Sequence, residues 1–323
     1  MSALIIGYGQ RAKNNIIPAL KALNKNIYIY GRSQKKVSEL CIQTNCTQIK
    51  SLSLLPKNLD IICIAVPSDY ALDFINQIDN EVSLKSILYL DTPFFGKFNN
   101  IELLKLHKRF KKTLVTEDWI SKPSFEIVER LAIDHNLGNL KEIIFNNSGY
   151  FYHSLAIARK LFKQKINFAY KKNGNYFFYF GFKKMRIINP KDYDNCSTIF
   201  RYKYGSIDLK YGDNASVNKK YFSVSSLLSG QKISYFYTYG DKKNINIISY
   251  KNPLSKVDAH YESVEKVISL QKKFTLNETE YLLEDGAYDS LIFTIMNRIN
   301  FFIDISLREF SVIYKFLKLY GKI

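Results

Sequence analysis

The chain begins with a short apolar strand that runs directly into a glycine turn. Residues 4–6 are Leu, Ile and Ile, the turn is GYGQRA, and residues 14–23 have the spacing of an amphipathic helix. In such a unit Gly7 permits the tight turn, Gly9 lets the backbone approach a phosphate, and Ala12 keeps the helix close to the strand. The first helical N–H groups and the positive end of the helix dipole then point at the anion. This order predicts a pyrophosphate-binding turn and therefore a dinucleotide-binding domain.

Short apolar runs and helical spacings alternate over the first 120 residues. A parallel sheet with crossover helices has this pattern, because its strands are buried on both faces and each is followed by a helix. We predict an α/β fold here, with one doubly wound parallel sheet in a Rossmann domain that spans residues 1–120. The predicted strands are 4–6, 27–30, 60–66, 86–90 and 113–116, and the predicted helices are 14–23, 34–44, 70–78 and 100–110.

The end of the second predicted strand bears on which dinucleotide binds. In NAD-binding domains an acidic residue about 20 positions beyond the glycines binds the ribose hydroxyls. Here the strand ends in the sequence GRSQKK, which contains no carboxylate. Arg32 and Ser33 are placed to hold a 2′-phosphate. We therefore predict NADP(H) as the cofactor in preference to NAD(H).

The character of the sequence changes after about residue 120. Aromatic and β-branched runs between residues 166 and 250 are separated by Gly, Asn and Asp, which is typical of antiparallel strands and their turns. We predict a second domain, residues 121–323, of the α+β class with an open antiparallel sheet. Its predicted helices are 125–134, 155–162, 259–273 and 288–319, and a further predicted strand is 140–146.

Two features of this second domain have alternative interpretations. Alternating Tyr and Phe residues could form a base-stacking platform, but they are also what a half-buried sheet face uses. The amphipathic C-terminal stretch could lie on a membrane surface, but a helix that faces a core or a partner is more common. We favour the structural interpretation of both.

The balance of charge favours anionic partners without naming one. Lys and Arg number 47 against 29 Asp and Glu, which gives a net charge of +18. The basic residues are scattered along the chain, as expected where Lys serves as an ordinary solvated charge. We expect no nucleic-acid partner.

The cysteines and the N-terminus bear on cellular location. The cysteines, Cys41, Cys46, Cys63 and Cys196, do not suggest a disulfide framework, and no Cys-x-x-Cys pair predicts a metal site. The N-terminus lacks the pattern of a signal peptide, and no apolar run reaches the roughly 18 residues that a membrane span needs. We expect a cytoplasmic protein with no membrane span.

Four stretches of the first half resemble one family of oxidoreductases. They are ALIIGYGQRA at 3–12, DIICIAVPSDYA at 60–71, ILYLDTPFF at 87–95 and ISKPSFEIVERLAIDHNLGNLKEI at 120–143. Over residues 1–162 the chain resembles the glucose-fructose oxidoreductase / inositol dehydrogenase / MocA family. The resemblance implies an N-terminal Rossmann domain, a C-terminal open-sheet domain, a nicotinamide cofactor and a small-molecule substrate. Together with the turn and the second strand, it gives these predicted cofactor-binding residues: Gly7, Gly9, Gln10, Arg11, Ala12, Arg32, Ser33, Val66, Pro67, Asp91 and Pro93.

The catalytic residues that the resemblance implies are only partly present. The family carries a Lys in a Glu-Lys-Pro motif beside the nicotinamide, whereas this chain has Asp91-Thr92-Pro93, with Thr92 in the lysine position. The family's His matches His153 in GYFYHSLA, but its Asp four residues earlier is replaced by Gly149. The predicted catalytic residues are His153, Tyr150, Tyr152 and Thr92.

A histidine and two lysines at or near these motifs can be interpreted either as catalytic residues or as ordinary structural or surface residues. A histidine can serve as acid or base near neutral pH, and Tyr150 or Tyr152 could assist His153 by hydrogen bonding; a structural histidine is the alternative. Lys97 and Lys122 lie close in sequence to the altered motifs, and we expect both to be solvated loop lysines.

Two classes of function follow from these observations. The first is an NADP(H)-dependent oxidoreductase that acts on a sugar or nucleotide sugar, or reduces a C=N or C=C bond. Reduction of an electrophile needs only a hydride and one proton, so it dispenses with a strong base. The second is a nucleotide-binding or scaffold protein that has kept the fold and lost catalysis. Members of the family commonly pair through the C-terminal sheet, so we also expect a homo-oligomer formed through the aromatic strands between residues 176 and 250.

Overall fold

The computed structural model describes residues 2–91, 109–148, 151–164, 166–190, 196–212, 216–238 and Ile268. These residues belong to two compact units, one that reaches Ser121 and also contains Ile268, and one that begins at Lys122. The predicted helices 100–110 and 288–319, most of the predicted helix 259–273 and the strands predicted beyond residue 238 lie outside the described residues.

The first unit is built on a six-stranded sheet in which every strand pair is parallel. The strand order is β3-β2-β1-β4-β5-β6, which confirms the doubly wound Rossmann sheet that the sequence predicts. The strands are β1 Ser2–Ile6, β2 Asn26–Tyr30, β3 Thr47–Gln48, β4 Leu59–Ile64, β5 Ile87–Asp91 and β6 Lys112–Thr116. The two-residue β3 is too short to produce a hydrophobic pattern, and the sequence did not predict it.

Helices connect these strands. They are α1 Ile17–Ala22, α2 Gln34–Thr44, α3 Ser68–Asn76 and α4 Asn80–Lys85. The bounds of α2 agree with the prediction because both of its ends carry a local signal. The Ser33 side chain accepts a hydrogen bond from the N–H of Lys36, and Asn45 ends the helix with a φ of 50°.

A π-helical turn joins the glycine turn to α1. It spans Ala12–Ile16, and the N–H of Ile17 donates to the carbonyl oxygen of Ala12, five residues earlier. Pro18 follows, and a proline has no N–H and crowds the carbonyl four residues before it in an α-helix. The wider turn therefore lets the helix continue through the proline.

The core of the first unit lies on the central strands. Leu4, Ile6, Leu88 and Leu90 have no exposed surface and belong to one apolar cluster. Burying each of these side chains stabilises the fold by about 1.5–3 kcal/mol relative to leaving it exposed. The same sheet therefore holds the carboxyl ends of β1, β4 and β5 in fixed positions.

The second unit contains an eight-stranded sheet in the order β14-β13-β12-β11-β7-β10-β9-β8. The predicted antiparallel sheet is confirmed except for one pair, because β7 and β10 run parallel, with Met185 opposite Ile143. The strands are β7 Leu140–Asn146, β8 Phe168–Lys172, β9 Asn175–Phe180, β10 Lys183–Ile188, β11 Ser197–Tyr202, β12 Gly205–Gly212, β13 Ser216–Ser226 and β14 Lys232–Thr238. A helix and two strands separate β7 from β10 along the chain, so no local pattern could reveal that they pair.

Two helices pack on one face of this sheet. They are α5 Pro123–Asp134 and α6 Phe151–Phe162. The rings of Phe151 and Tyr176 have centroids 4.6 Å apart, and those of Phe162 and Phe180 are 5.1 Å apart. Aromatic residues of the strands thus fill the core, as the structural interpretation of the sequence expects.

The opposite face of the sheet carries a buried carboxylate among cations. Glu142 on β7 is 3% exposed. Arg201 on β11 donates from Nη1 to Glu142 Oε2 at 3.0 Å, and Lys184 Nζ lies 3.4 Å from Oε1. Arg186 Nε lies 2.7 Å from Oε1 as an ionic contact without hydrogen-bond geometry. Because β10 and β11 flank β7, the three cations converge on one carboxylate.

Some features that bear on function are absent from the described part of the chain. No helix there is long and apolar enough to span a membrane. No three His, Cys, Asp or Glu side chains there come close enough together to hold a metal ion. The cysteines are free thiols.

Candidate functional site

The glycine turn lies at the carboxyl end of β1, between its two neighbouring strands. The N–H of Gly7 donates to the carbonyl oxygen of Tyr30 at 2.9 Å, which ties the turn to the end of β2. Gly7 has a φ of 132°, and a Cβ atom at this position would lie 2.2 Å from the carbonyl oxygen of Ala65. Only glycine fits this position, because both the backbone conformation and the contact exclude a side chain.

Gly9 differs from Gly7 in what surrounds it. A Cβ atom built at Gly9 would meet no atom within 4 Å, so the space above this residue is open. The helical segment begins at Gln10, and the N–H of Lys13 donates to the carbonyl oxygen of Gly9 at 3.1 Å. The first N–H groups of a helix have no intrahelical acceptors, and they favour an anion. Ala12 is fully buried against the sheet. The turn therefore fits a pyrophosphate at Gly9 and Gln10.

Arg11 is held by two acidic residues at the ends of neighbouring strands. Its Nε donates to the Oδ1 atom of Asp91 at 3.1 Å, and its Nη2 donates to the Oδ1 atom of Asp118 at 3.0 Å. The hydroxyl of Thr116 donates to the same oxygen of Asp91 at 2.7 Å. These partners lie 80 and 107 positions away from Arg11. The side chains of Arg11 and Asp91 thus tie the glycine turn to the ends of β5 and β6.

The charges of this cluster are strongly coupled. Burial alone would lower the pKa of Arg11, but Asp91 and Asp118 outweigh it and hold that pKa well above its ordinary value. Burial raises the pKa of Asp91, and Arg11 and Thr116 only partly offset the rise. The side chain of Asp118 is 2% exposed. Arg11 therefore stays charged, and it is the counter-ion that makes two buried carboxylates tolerable.

The end of β2 presents one cation and one helix cap. Arg32 is exposed, and its Cζ atom lies 4.2 Å from the centroid of the Tyr70 ring. Ser33 caps α2 through the bond to Lys36 described above. Gly31 is buried, and a Cβ atom there would lie 2.5 Å from the Tyr8 ring. The structure thus brings Arg32 and the glycine turn to the same edge of the sheet.

The segment after β4 leads from the sheet into α3. The N–H of Ala65 donates to the carbonyl oxygen of Ile6 at 2.8 Å, which extends the β1–β4 pairing up to the glycine turn. Val66 is half-buried, and Pro67 is the N-cap of α3, with its carbonyl oxygen accepting from the N–H of Tyr70 at 2.9 Å. Val66 and Pro67 therefore follow directly after the residue that pairs with the end of β1.

The predicted catalytic residues are described only in part. Thr92, Tyr150 and the cofactor-binding candidate Pro93 lie outside the described residues. Tyr152 and His153 lie in the first turn of α6, with ring centroids 4.1 Å apart. Tyr152 is buried, and His153 is half-buried.

Lys122 departs from its predicted environment. It is 4% exposed, so the expectation of a solvated loop lysine was wrong. Burial raises the pKa of the Cys196 thiol to about 11, and Lys122 and Lys220 only partly offset that rise. The residue precedes Pro123 at the start of α5, and the aliphatic part of a lysine stem packs readily where a loop enters a core.

The sequence analysis did not identify three residues that shape this site. Asp118 and Thr116 hold Arg11 and Asp91, and Tyr70 stacks on Arg32. A signal existed for Asp118, since it follows a predicted parallel strand and the carboxyl ends of such strands meet at the ligand-binding edge. Tyr70 had no such signal, because it lies within a helix whose spacing explains it fully.

Comparison with known proteins gives structural matches and no sequence matches. No family model matches the chain, and no curated protein matches it in sequence. Among solved structures, the chain is similar to the dehydrogenase MviM from Clostridium difficile, with a TM-score of 0.66 and 11% identity over 93% of this chain and 99% of that chain. It is also similar to KijD10, a 3-ketoreductase from Actinomadura kijaniata in complex with NADP and TDP-benzene, with a TM-score of 0.67 and 9% identity over 92% and 97%.

The chain has the fold of these enzymes. Both the parallel Rossmann sheet and the second, mostly antiparallel sheet are part of the likeness, since the match covers more than nine-tenths of each chain. A super-repressor mutant of Gal80p from Saccharomyces cerevisiae is similar as well, with a TM-score of 0.63 and 11% identity over 94% of this chain and 98% of that chain. The fold is therefore shared by proteins whose names describe different roles.

Proposed function

We propose that the chain is an NADP(H)-dependent oxidoreductase that acts on a sugar or nucleotide sugar, or reduces a C=N or C=C bond. The observation that carries this proposal is the carboxyl edge of the parallel sheet. Open space above Gly9 and the start of a helix at Gln10 fit a pyrophosphate, and Arg32 lies at the end of β2 without a neighbouring carboxylate in the GRSQKK segment. The NADP complex of the structurally similar KijD10 supports the same cofactor class.

The residues of the chain have separate tasks in this proposal. Bound NADPH supplies the hydride. The backbone at Gly9 and Gln10 holds the pyrophosphate, and Arg32 and Ser33 hold the 2′-phosphate. His153 gives or takes the proton of the substrate, with Tyr150 or Tyr152 as a hydrogen-bonding partner. Thr92 in the lysine position favours a substrate that needs little activation, which is why reduction of an electrophilic C=N or C=C bond is included.

A titration with both dinucleotides tests the cofactor. We expect NADPH to bind more tightly than NADH, and Arg32→Ala to weaken NADPH about 10- to 100-fold, as expected for the loss of a hydrogen-bonded ion pair. Lys85→Ala is the matched control. Lys85 is an exposed cation at the end of α4, just before the amino end of β5, whereas Arg32 follows the carboxyl end of β2. Tighter binding of NADH than NADPH would contradict the cofactor assignment.

A second function is favoured by the sequence at the expected catalytic positions. Gly149 stands where the family that the chain resembles carries an Asp, and the similar Gal80p structure is described as a super-repressor mutant. A nucleotide-binding or scaffold protein without turnover has the same fold. A panel of sugar, imine and tetrapyrrole substrates separates the two: NADPH binding without any turnover favours the scaffold, and turnover that depends on His153 favours the enzyme.

The oligomeric state is part of the proposal. The face of the second sheet that carries Glu142 also carries stacked aromatic rings, with the Tyr170 and Phe177 centroids 4.7 Å apart. Aromatic surface of this kind is enriched where protein subunits meet. We expect a homo-oligomer in light scattering, and a monomer of 37.7 kDa would reject this part of the proposal.

A further inference from the structure

Arg32 and Tyr70 come from opposite sides of the glycine turn. Arg32 follows β2 and Tyr70 follows β4, and both strands pair with β1, whose carboxyl end is the turn. Neighbouring strands lie about 4.8 Å apart, so the ends of β2 and β4 are roughly 10 Å from each other, with the end of β1 between them. The 4.2 Å stack of the guanidinium on the Tyr70 ring therefore spans the region beside the phosphate turn.

The stack leaves the guanidinium able to bind an anion. Within the described residues Arg32 takes part in no ion pair and no hydrogen bond, so its N–H groups are all available at the ring edge. Asp69, the exposed neighbour of Tyr70, forms no ion pair with Arg32 in this part of the chain. A guanidinium stacked on an aromatic face still directs its donors outward in its own plane.

A free arginine side chain is flexible, and fixing it costs free energy when a ligand binds. Ordering a long side chain opposes binding because its rotamer freedom is lost. A ring that already holds the guanidinium in place removes part of that cost. The Tyr8 ring packs against the backbone of Gly31, the residue that precedes Arg32.

We propose that Tyr70 is a positioning residue that holds Arg32 ready for the 2′-phosphate of an adenosine ribose, and so contributes to selection of NADP(H) over NAD(H). This inference rests on the proposed function. It assigns to Tyr70 an effect that NADH, which has no 2′-phosphate, does not experience.

The experiment measures dissociation constants of NADPH and NADH for the full chain and for Tyr70→Leu, Tyr70→Phe, Arg32→Ala and the double variant Arg32→Ala/Tyr70→Leu. We expect Tyr70→Leu to raise the dissociation constant of NADPH about two- to fivefold, as for the loss of an exposed cation–π contact, and to leave the dissociation constant of NADH unchanged. Tyr70→Phe keeps the ring, so we expect it to bind NADPH as tightly as the unaltered chain does. In the Arg32→Ala background Tyr70→Leu has no further effect, because its partner is gone.

Three outcomes overturn the inference. If Tyr70→Leu weakens the binding of NADPH and of NADH equally, the ring supports the adenine base or the fold and does not act through Arg32. An unchanged NADPH constant in Tyr70→Leu, or a full effect of Tyr70→Leu in the Arg32→Ala background, removes the positioning role while the proposed function stands. Failure of the unaltered chain to bind either dinucleotide overturns the proposed function itself, and the inference with it.

Discussion

Replacing Arg11 with Ala is the sharpest test of how the glycine turn is held. The guanidinium makes four hydrogen bonds to the carboxylates of Asp91 and Asp118. The side chain of Asp91 is 16% exposed and that of Asp118 is 2% exposed, so neither charge can return to water without moving the strands. Removing one partner of a buried ion pair costs about 3–5 kcal/mol. We expect a loss of that size in the free energy of unfolding.

Arg130→Ala is the matched control. Arg130 contacts Asp134 at 3.0 Å, the same distance as Arg11 to Asp118, but the two side chains are 70% and 38% exposed. Exposed pairs spaced four residues apart on a helix contribute about 0.3–0.5 kcal/mol. Both variants lose a guanidinium that lies 3.0 Å from a carboxylate, but Arg11 is more buried and also has a second carboxylate partner.

Urea unfolding can be followed by two signals in these variants. Trp119 is the single tryptophan of the chain, and it lies next to Asp118, so its fluorescence reports on the first unit. Circular dichroism follows both units and therefore also detects Arg130→Ala. A loss for Arg11→Ala of less than about 1 kcal/mol, or one equal to that of Arg130→Ala, would refute the reasoning.

The effect of pH on Arg11→Ala follows from the same cluster. Burial raises the pKa of Asp91 in the folded chain, so the folded state takes up a proton at a higher pH than the unfolded state. Protonation of Asp91 at falling pH therefore favours the folded chain. Arg11 lowers the pKa of Asp91, so without Arg11 that pKa rises further and the folded chain gains more from the same fall in pH. We expect the loss caused by Arg11→Ala to shrink as the pH falls through the acidic range, and a loss that grows would contradict this sign.

Three other substitutions give separate predictions. Gly7→Ala forces a side chain against Ala65 in a backbone conformation that costs on the order of 1–3 kcal/mol, so the midpoint of urea unfolding falls. Gly9→Ala places its side chain in open space, so the midpoint stays the same and only the affinity for the dinucleotide falls in a titration. His153→Ala lowers turnover on any accepted substrate by about 10²–10⁴ while NADPH binding persists, and unchanged turnover removes it from catalysis. Glu142→Gln removes the carboxylate from three cations that are 28–53% exposed, so it lowers the free energy of unfolding by about 1 kcal/mol, less in high salt; no change in urea unfolding would show that the cations do not need it.

Much of the first unit follows from short stretches of sequence. A strand at residues 4–6, which the structure extends to Ser2–Ile6, was predicted together with the glycine turn and α2, because each carries a local signal of its own. Ser33 at the start of α2 and Asn45 at its end need no distant residue to act. Parallel sheets with alternating helices have only a few common topologies, so the doubly wound class of the sheet followed from the order of its elements.

The second sheet shows where such reasoning ends. Its strands were expected from their aromatic alternation, but the parallel pairing of β7 with β10 depends on which edges meet after the chain has crossed a helix and a hairpin. The alternation of apolar and polar side chains shows which face of a strand is buried, but it does not show which strand lies beside it.

The sequence by itself determined that the first strand runs through a tight glycine turn into a helix, because Gly7, Gly9 and Ala12 act through local backbone geometry. Only the tertiary structure decided what surrounds that turn. Arg11 has its partners at Asp91 and Asp118, and these three residues meet because parallel strands bring their carboxyl ends to one edge of the sheet. Contacts between residues so far apart along the chain leave no period in the sequence, so they become visible only when the strands are in place.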